Sequence, residues 1–157
     1  MPRTPETARA LRRIAALALL ALLVCLALRV DLASAGQPAG FRVIVHPANP
    51  LAAAERDLLS DVFLKKKIRW PDGEPILPVD QRFDAAVRER FSEAVLRRSV
   101  FAVRSYWQQL IFTGRGVPPP ELDSDEAVVR YVRSNRGAVG YVGAGTALSG
   151  VKGLDLR

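Results

Sequence analysis

Cysteine, histidine and methionine are almost missing: the chain carries one of each, Cys25, His46 and Met1. A single cysteine excludes a disulfide framework and a multi-cysteine zinc site, and a single histidine excludes a two-histidine metal centre. His46 precedes Pro47 at the end of a predicted strand, and no G-x-S-x-G elbow occurs, so no Ser-His-Asp or Cys-His nucleophile can be assembled. A G-K-[ST] phosphate loop is also absent. Gly140, Gly143 and Gly145 follow a strand as a dinucleotide loop would, but Leu148 stands where a third glycine or alanine is needed. No acid follows about 20 residues on. The carboxylate pair Asp123/Asp125 has the character of a helix start rather than of acid–base machinery. These absences point to a non-enzyme with no metal and no cofactor. Repeats and low-complexity tracts are lacking as well.

What is present begins with an apolar leader. Arg3, Arg9, Arg12 and Arg13 precede Ile14–Leu28, 15 unbroken apolar residues, and Ala33-Ser34-Ala35 follows. A spanning helix needs about 20 apolar residues and a signal-peptide core about 7–15. The pattern predicts a signal peptide over residues 1–35, cleaved after Ala35, and hence a periplasmic or other extracytoplasmic location. The alternative is an uncleaved anchor, because Arg29 and Val30-Asp31-Leu32 continue past the core. Val24 before Cys25 is too large for a lipoprotein signal. The whole chain has 157 residues, 49% of them hydrophobic, and a formal net charge of +7. Removal of residues 1–35 leaves 122 residues, no cysteine, 18 basic and 14 acidic side chains, and a net +4. One domain of that size buries a core without disulfides. A charge of +4 does not argue for a nucleic-acid partner; Lys65-Lys66-Lys67 and Arg97-Arg98 are expected to be solvated helix ends.

Residues 36–40 form a lead-in, and Phe41–Val45 alternates as a strand. Asn49-Pro50 offers an N-cap with proline at the first helical position, and Leu51, Leu58, Leu59, Val62 and Phe63 recur at helical spacing. Trp70–Gly73 is a turn by its chemistry and Pro75–Val79 a short or edge strand. Asp84 is expected to cap a helix striped by Val87, Phe91, Ala94 and Val95. A further helix, Val100–Phe112, carries Val100, Val103, Trp107 and Leu110/Ile111 on one side. Trp70 and Trp107 are expected to anchor the turn and core. Thr113–Gly116 and Pro118-Pro119-Pro120 interrupt the chain, and Asp123 with Glu126 is a capping-box signature for a helix to Asn135. Ala138–Val142 and Gly153–Arg157 complete the strands. Strands separated by helices imply an α/β or α+β domain with a small sheet.

Four segments in order carry a resemblance: Val43–Pro50 (VIVHPANP), Leu58–Phe63 (LLSDVF), Lys67–Gly73 (KIRWPDG) and Gly137–Val142 (GAVGYV). Together they resemble one lobe of the phosphate-binding proteins that serve ABC phosphate importers, across most of residues 41–143. The resemblance implies an α/β fold over residues 41–157: a single lobe of the type 2 periplasmic binding-protein class, a small mixed sheet flanked by about four helices. It also implies a phosphate loop, but the loop is degenerate. Where the family has an arginine, an acid and Ser-Gly-Thr, this chain has Gln81, Phe83 and Ala85-Ala86-Val87, with Arg82 next door. If phosphate or another small anion binds, the implied contacts are Gln81, Arg82 and the backbone of Asp84, Ala85, Ala86 and Val87. The resemblance thus implies a non-catalytic solute-binding domain. The alternative is an interaction or sensing module that has lost ligand binding and meets a second copy or a membrane-protein partner.

Overall fold

The computed structural model describes residues 40–157, so the predicted signal peptide and most of the lead-in lie outside the described residues. The order is β1 (Phe41–Val45), β2 (Ala53–Ala54), α1 (Arg56–Phe63), β3 (Leu77–Pro78), β4 (Asp80–Gln81), α2 (Ala86–Phe91), a π-helical turn (Ser92–Leu96), α3 (Val100–Phe112), β5 (Glu121–Leu122), α4 (Asp125–Ser134), β6 (Ala138–Gly143) and β7 (Lys152–Leu156).

One mixed sheet runs β2-β7-β1-β6-β3. β1 is antiparallel to both β6 and β7, while β3 lies parallel to β6 and β2 parallel to β7. Val43, Ile44 and Val45 are fully buried, as expected of a central strand covered on both faces. The alternation of β1 and β6 sorts their side chains between two layers. Val43, Val45, Val139 and Tyr141 face α1, α2 and α3; Ile44, Ala138 and Val142 face α4 through Val128, Val129 and Val132. The first layer is aromatic. Phe91 stacks on Tyr141 with centroids 3.9 Å apart, and Phe41 meets it edge-on at 5.3 Å. Such pairs add about 0.5–1.5 kcal/mol beyond their buried area. The π-helical turn widens the helix after Phe91, so that Phe91, Val95 and Leu96 all reach this layer. Its end is Arg97 in the left-handed region, φ 53°.

The second layer is aliphatic and tight. A methyl group on Gly140 would sit 2.6 Å from Cγ1 of Val128 and 3.0 Å from Cγ1 of Val79, so glycine sets how closely α4 lies on β6. At the turn, Trp70 is buried and donates from Nε1 to the carbonyl of Gly137 at 3.0 Å. α3 spans the 13 residues the hydrophobic spacing predicts.

Three local expectations are corrected. Asn49-Pro50 does not open a helix: Asn49 Oδ1 accepts from the amide of Leu51 at 3.0 Å, a turn, and α1 starts at Arg56. The intervening Ala53-Ala54 pairs instead with β7; the amides of Asp155 and of Arg157, just past its end, donate to the carbonyls of Ala52 and Ala54 at 3.1 and 3.2 Å. A sheet edge outcompetes helix propensity there. Asp84 does not cap α2; Ala85 is the N-cap and has no side-chain bond to give. Asp123 does not cap α4; the hydroxyl of Ser124 accepts from the amide of Ala127 at 3.2 Å.

Candidate functional site

Asp80 leaves the sheet region by way of β4, whose partner β5 arrives from Pro118-Pro119-Pro120 and pairs in parallel, Asp80 beside Glu121 and Gln81 beside Leu122. Prolines cannot continue a helix, so this stretch runs extended and delivers Glu121 to the side of Asp80. Arg88, one turn into α2, reaches back to the same point. It is only 4% exposed, and its guanidinium lies 3.0 Å from Oδ2 of Asp80 and 2.6 Å from Oε1 of Glu121. It also donates to the carbonyl of Gln81 at 2.6 Å. Tyr141 Oη donates a short hydrogen bond to Oδ1 of Asp80, which also accepts from the amide of Gln81 at 2.9 Å.

A charge buried this deeply must be paired and hydrogen-bonded. Burial pushes the carboxyl of Asp80 up from its ordinary value, while Arg88 and the Tyr141 hydroxyl pull the other way. Burial and the neighbouring Asp80 charge push the Tyr141 phenol up from its ordinary value, in keeping with its role as the donor of the pair.

The predicted loop residues divide around this network. Gln81 is buried, and its side-chain amide donates to Oδ1 of Asp125 at 2.6 Å and to the carbonyl of Tyr141 at 3.1 Å. Asp125 in turn accepts from the amide of Gly143 at 2.9 Å and from the Thr146 hydroxyl. Gln81 therefore joins β4, α4 and β6. Arg82 and Asp84 are exposed and paired with each other at 2.6 and 3.0 Å. The partner's hydrogen bond holds the Asp84 carboxyl below its ordinary value. The amide of Ala85 donates to the carbonyl of Arg82 at 3.1 Å. Ala86 and Val87 open α2, with Val87 packed partly against the aromatic layer.

Beside the network lies an open cleft of about 350 Å³, lined by Phe83, Arg88, Arg104, Trp107, Gln108 and Ile111 together with Pro118 and Glu121. Arg88 and Glu121 form one border, and the outward stripe of α3 forms a wall. The Phe83 ring has two guanidinium carbons near it, Arg88 at 6.0 Å and Arg104 at 5.0 Å from its centroid, and Phe101 edge-on at 5.1 Å. Arg104 forms no ion pair among the described residues. His46 is not part of this region; its Nδ1 accepts from the amide of Ala48 at 3.1 Å.

Sequence reasoning singled out Gln81, Arg82 and Asp84–Val87, and the fold keeps them contiguous. It missed Asp80, Arg88, Glu121, Asp125 and Tyr141. Asp80 and Tyr141 stand 61 residues apart. The available signal was the opposite-charge pair Asp80 and Arg88 at the two ends of a strand-to-helix junction.

No protein-family model matches the chain, and no curated protein matches it in sequence. Solved structures do match it in three dimensions. One is assigned as a phosphate ABC transporter substrate-binding protein from Clostridium perfringens and contains bound phosphate; its TM-score is 0.60 at 19% identity, over 74% of this chain and 44% of its own. An ABC-type phosphate transport receptor from Vibrio cholerae gives 0.59 at 19% identity, over 74% of this chain and 46% of its own. A protein from Planctomyces limnophilus, assigned as phosphate-binding, gives 0.54 at 19% identity, over 75% and 41%. The chain spans less than half the length of these structures. Its fold is that of one lobe of a periplasmic binding protein, as the sequence resemblance implied.

Proposed function

We propose that this chain, folded as one lobe of the phosphate-binding proteins, is a non-catalytic solute-binding-type domain that works outside the cytoplasm and takes a small anion. The observation that carries the reading is the match of about three quarters of the chain to phosphate-binding structures, over a single lobe. The basic leader, apolar core and Ala33-Ser34-Ala35 support export. The anion is taken on the side formed by Gln81–Val87 and the adjoining cleft. Arg82 and the amides at the start of α2 offer donors there, and Gln81 acts by holding β4 in place. An ABC-type membrane component is the partner this reading implies.

A thermal-shift series on the purified protein with phosphate, sulfate and small organic anions tests it. A solute binder gains RT ln(1 + [L]/Kd) of stability from its own anion. If no anion raises the midpoint, the solute-binding reading fails.

A second reading is an interaction module, and one observation favours it. Phe101 is 70% exposed and Phe112 93% exposed at the two ends of α3, with Ile111 also exposed. Exposed apolar side chains of this size suit a second copy or a membrane-protein partner. Sedimentation across a hundredfold range of protein concentration separates the readings: a self-pairing module changes mass, and a monomeric solute binder does not.

A further inference from the structure

The cleft along α3 has a composition that inorganic phosphate does not explain. Phe101, Arg104, Gln108 and Ile111 recur at three- and four-residue spacing, so they share one face of α3. Phe101 is the neighbour of Phe83, and the other three line the cleft directly. Phe83, Trp107, Ile111 and Pro118 supply apolar walls, Gln108 an amide, and Arg104 a guanidinium with no carboxylate partner among the described residues. The acid at the border, Glu121, is bonded to Arg88. The side chains lining the cleft therefore carry two positive charges and one negative.

Size narrows the ligand. The cleft measures about 350 Å³, within the roughly 300–1,000 Å³ typical of sites for small organic molecules. A five-atom oxyanion would leave most of that space to water. A larger ligand with an apolar body removes Phe83, Trp107 and Ile111 surface from water as well, at about 25 cal/mol per Å². Arginine's planar fork matches a carboxylate with two parallel bonds. The Phe83 ring, 5.0 Å from the Arg104 guanidinium, holds that fork at the cleft wall.

We propose that this cleft binds a small organic monoanion with an apolar or aromatic body, its carboxylate on Arg104 and its body against Phe83, Trp107 and Ile111. The inference rests on the solute-binding reading and names the ligand class and the residue that selects it. Arg104 is the specificity-determining residue, and Arg88 belongs to the fold.

Isothermal titration of the full chain with phenylacetate, hexanoate, acetate and inorganic phosphate tests this, with tryptophan fluorescence reporting on Trp107. Phenylacetate and hexanoate are expected to saturate and acetate to bind more weakly. Arg104→Ala should weaken phenylacetate by about ten- to a hundredfold, the factor a lost charge-assisted pair carries. Arg104→Lys should recover part of that affinity, and Arg136→Ala, at an exposed arginine outside the cleft, should leave it unchanged. Because Arg104 is exposed, its variants are expected to fold, which an unchanged melting curve verifies. Phosphate binding that is lost in Arg82→Ala, with no response to phenylacetate, overturns the cleft assignment and leaves the solute-binding reading standing. Phenylacetate binding that survives Arg104→Ala also overturns it. No heat from any anion overturns both.

Discussion

Two arginines sixteen positions apart approach the same phenylalanine ring and live opposite lives. Arg88 is buried, with Asp80, Glu121 and the Gln81 carbonyl on its guanidinium. Arg104 stands at the cleft wall with no acid beside it among the described residues. The first charge ties α2 to the two-stranded parallel ribbon and, through Asp80, to Tyr141 on β6. Its field is cancelled where it is made. The second charge contributes little to the fold and remains available to something from solution. Charge type alone therefore tells nothing about recognition; the number of acceptors already on the guanidinium does.

Removing Arg88 is the strongest way to break this comparison. Arg88→Met leaves Asp80 buried without its cation and should destabilise the protein by about 3–5 kcal/mol in urea unfolding. The double variant with Asp80→Leu should recover a large part of that loss. A loss below about 1 kcal/mol would place Arg88 in the same class as Arg104.

Tyr141→Phe is expected to cost less, about 1–3 kcal/mol, because it removes one donor from the buried Asp80 carboxylate. The same variant carries a pH signature. The folded-state pKa of Tyr141 is raised above its unfolded value of about 10. Its contribution to stability is therefore complete below about pH 10 and is lost as pH rises beyond it, when the unfolded chain ionises and the folded one does not. Unfolding curves at pH 8 and pH 11 should show this alkaline loss in the parent and a smaller one in Tyr141→Phe.

Arg104→Ala should leave the urea midpoint where it was, while changing anion binding as described above. The smallest effect belongs to the exposed Arg82–Asp84 pair. In the parent, NMR titration should place the Asp84 carboxyl below the ordinary carboxylate value, and Arg82→Ala should return it there with no change in unfolding midpoint. The pairing persists above that lowered value and is lost as pH falls through it.

Periodicity exposed much of the frame. The alternation of Phe41–Val45, the apolar run at Ala138–Val142 and the 3.6-residue stripe of Val100–Phe112 each depend on neighbours close in sequence, and each reappears as an element. Boundaries were lost where a nonlocal partner decided them. Ala53-Ala54 has no strand signal of its own; it extends because β7, about a hundred residues later, offers its edge. Ser124 and Asp123 are both good caps, and only the backbone path into α4 selects the serine. The buried network was invisible for a different reason. Asp80, Arg88 and Glu121 would sit well on any solvated surface, and the burial of Asp80 and Arg88 follows from the parallel pairing of β4 with β5, which no local pattern announces. Gln81 was found by alignment to an anion-binding position, yet its amide is taken by Asp125 and Tyr141.

The direction of β1 and β7 has a practical corollary for anyone attaching this protein to a surface or a dye. β1 begins at Phe41 opposite Gly143, and β7 runs antiparallel to it, with Leu154 opposite Val43, so Leu156 finishes beside the place where β1 starts. Gly143 is bonded to Asp125, which holds Gln81. A handle fused before Gly40 and one fused after Arg157 would both crowd the end of the sheet where Gln81 and its partners sit. The exposed Pro71-Asp72-Gly73 turn, tied through Trp70 to Gly137 at the start of β6, lies at the opposite end. A cysteine introduced at Asp72 would carry a reporter or a linker there and leave the Gln81 end open to solution.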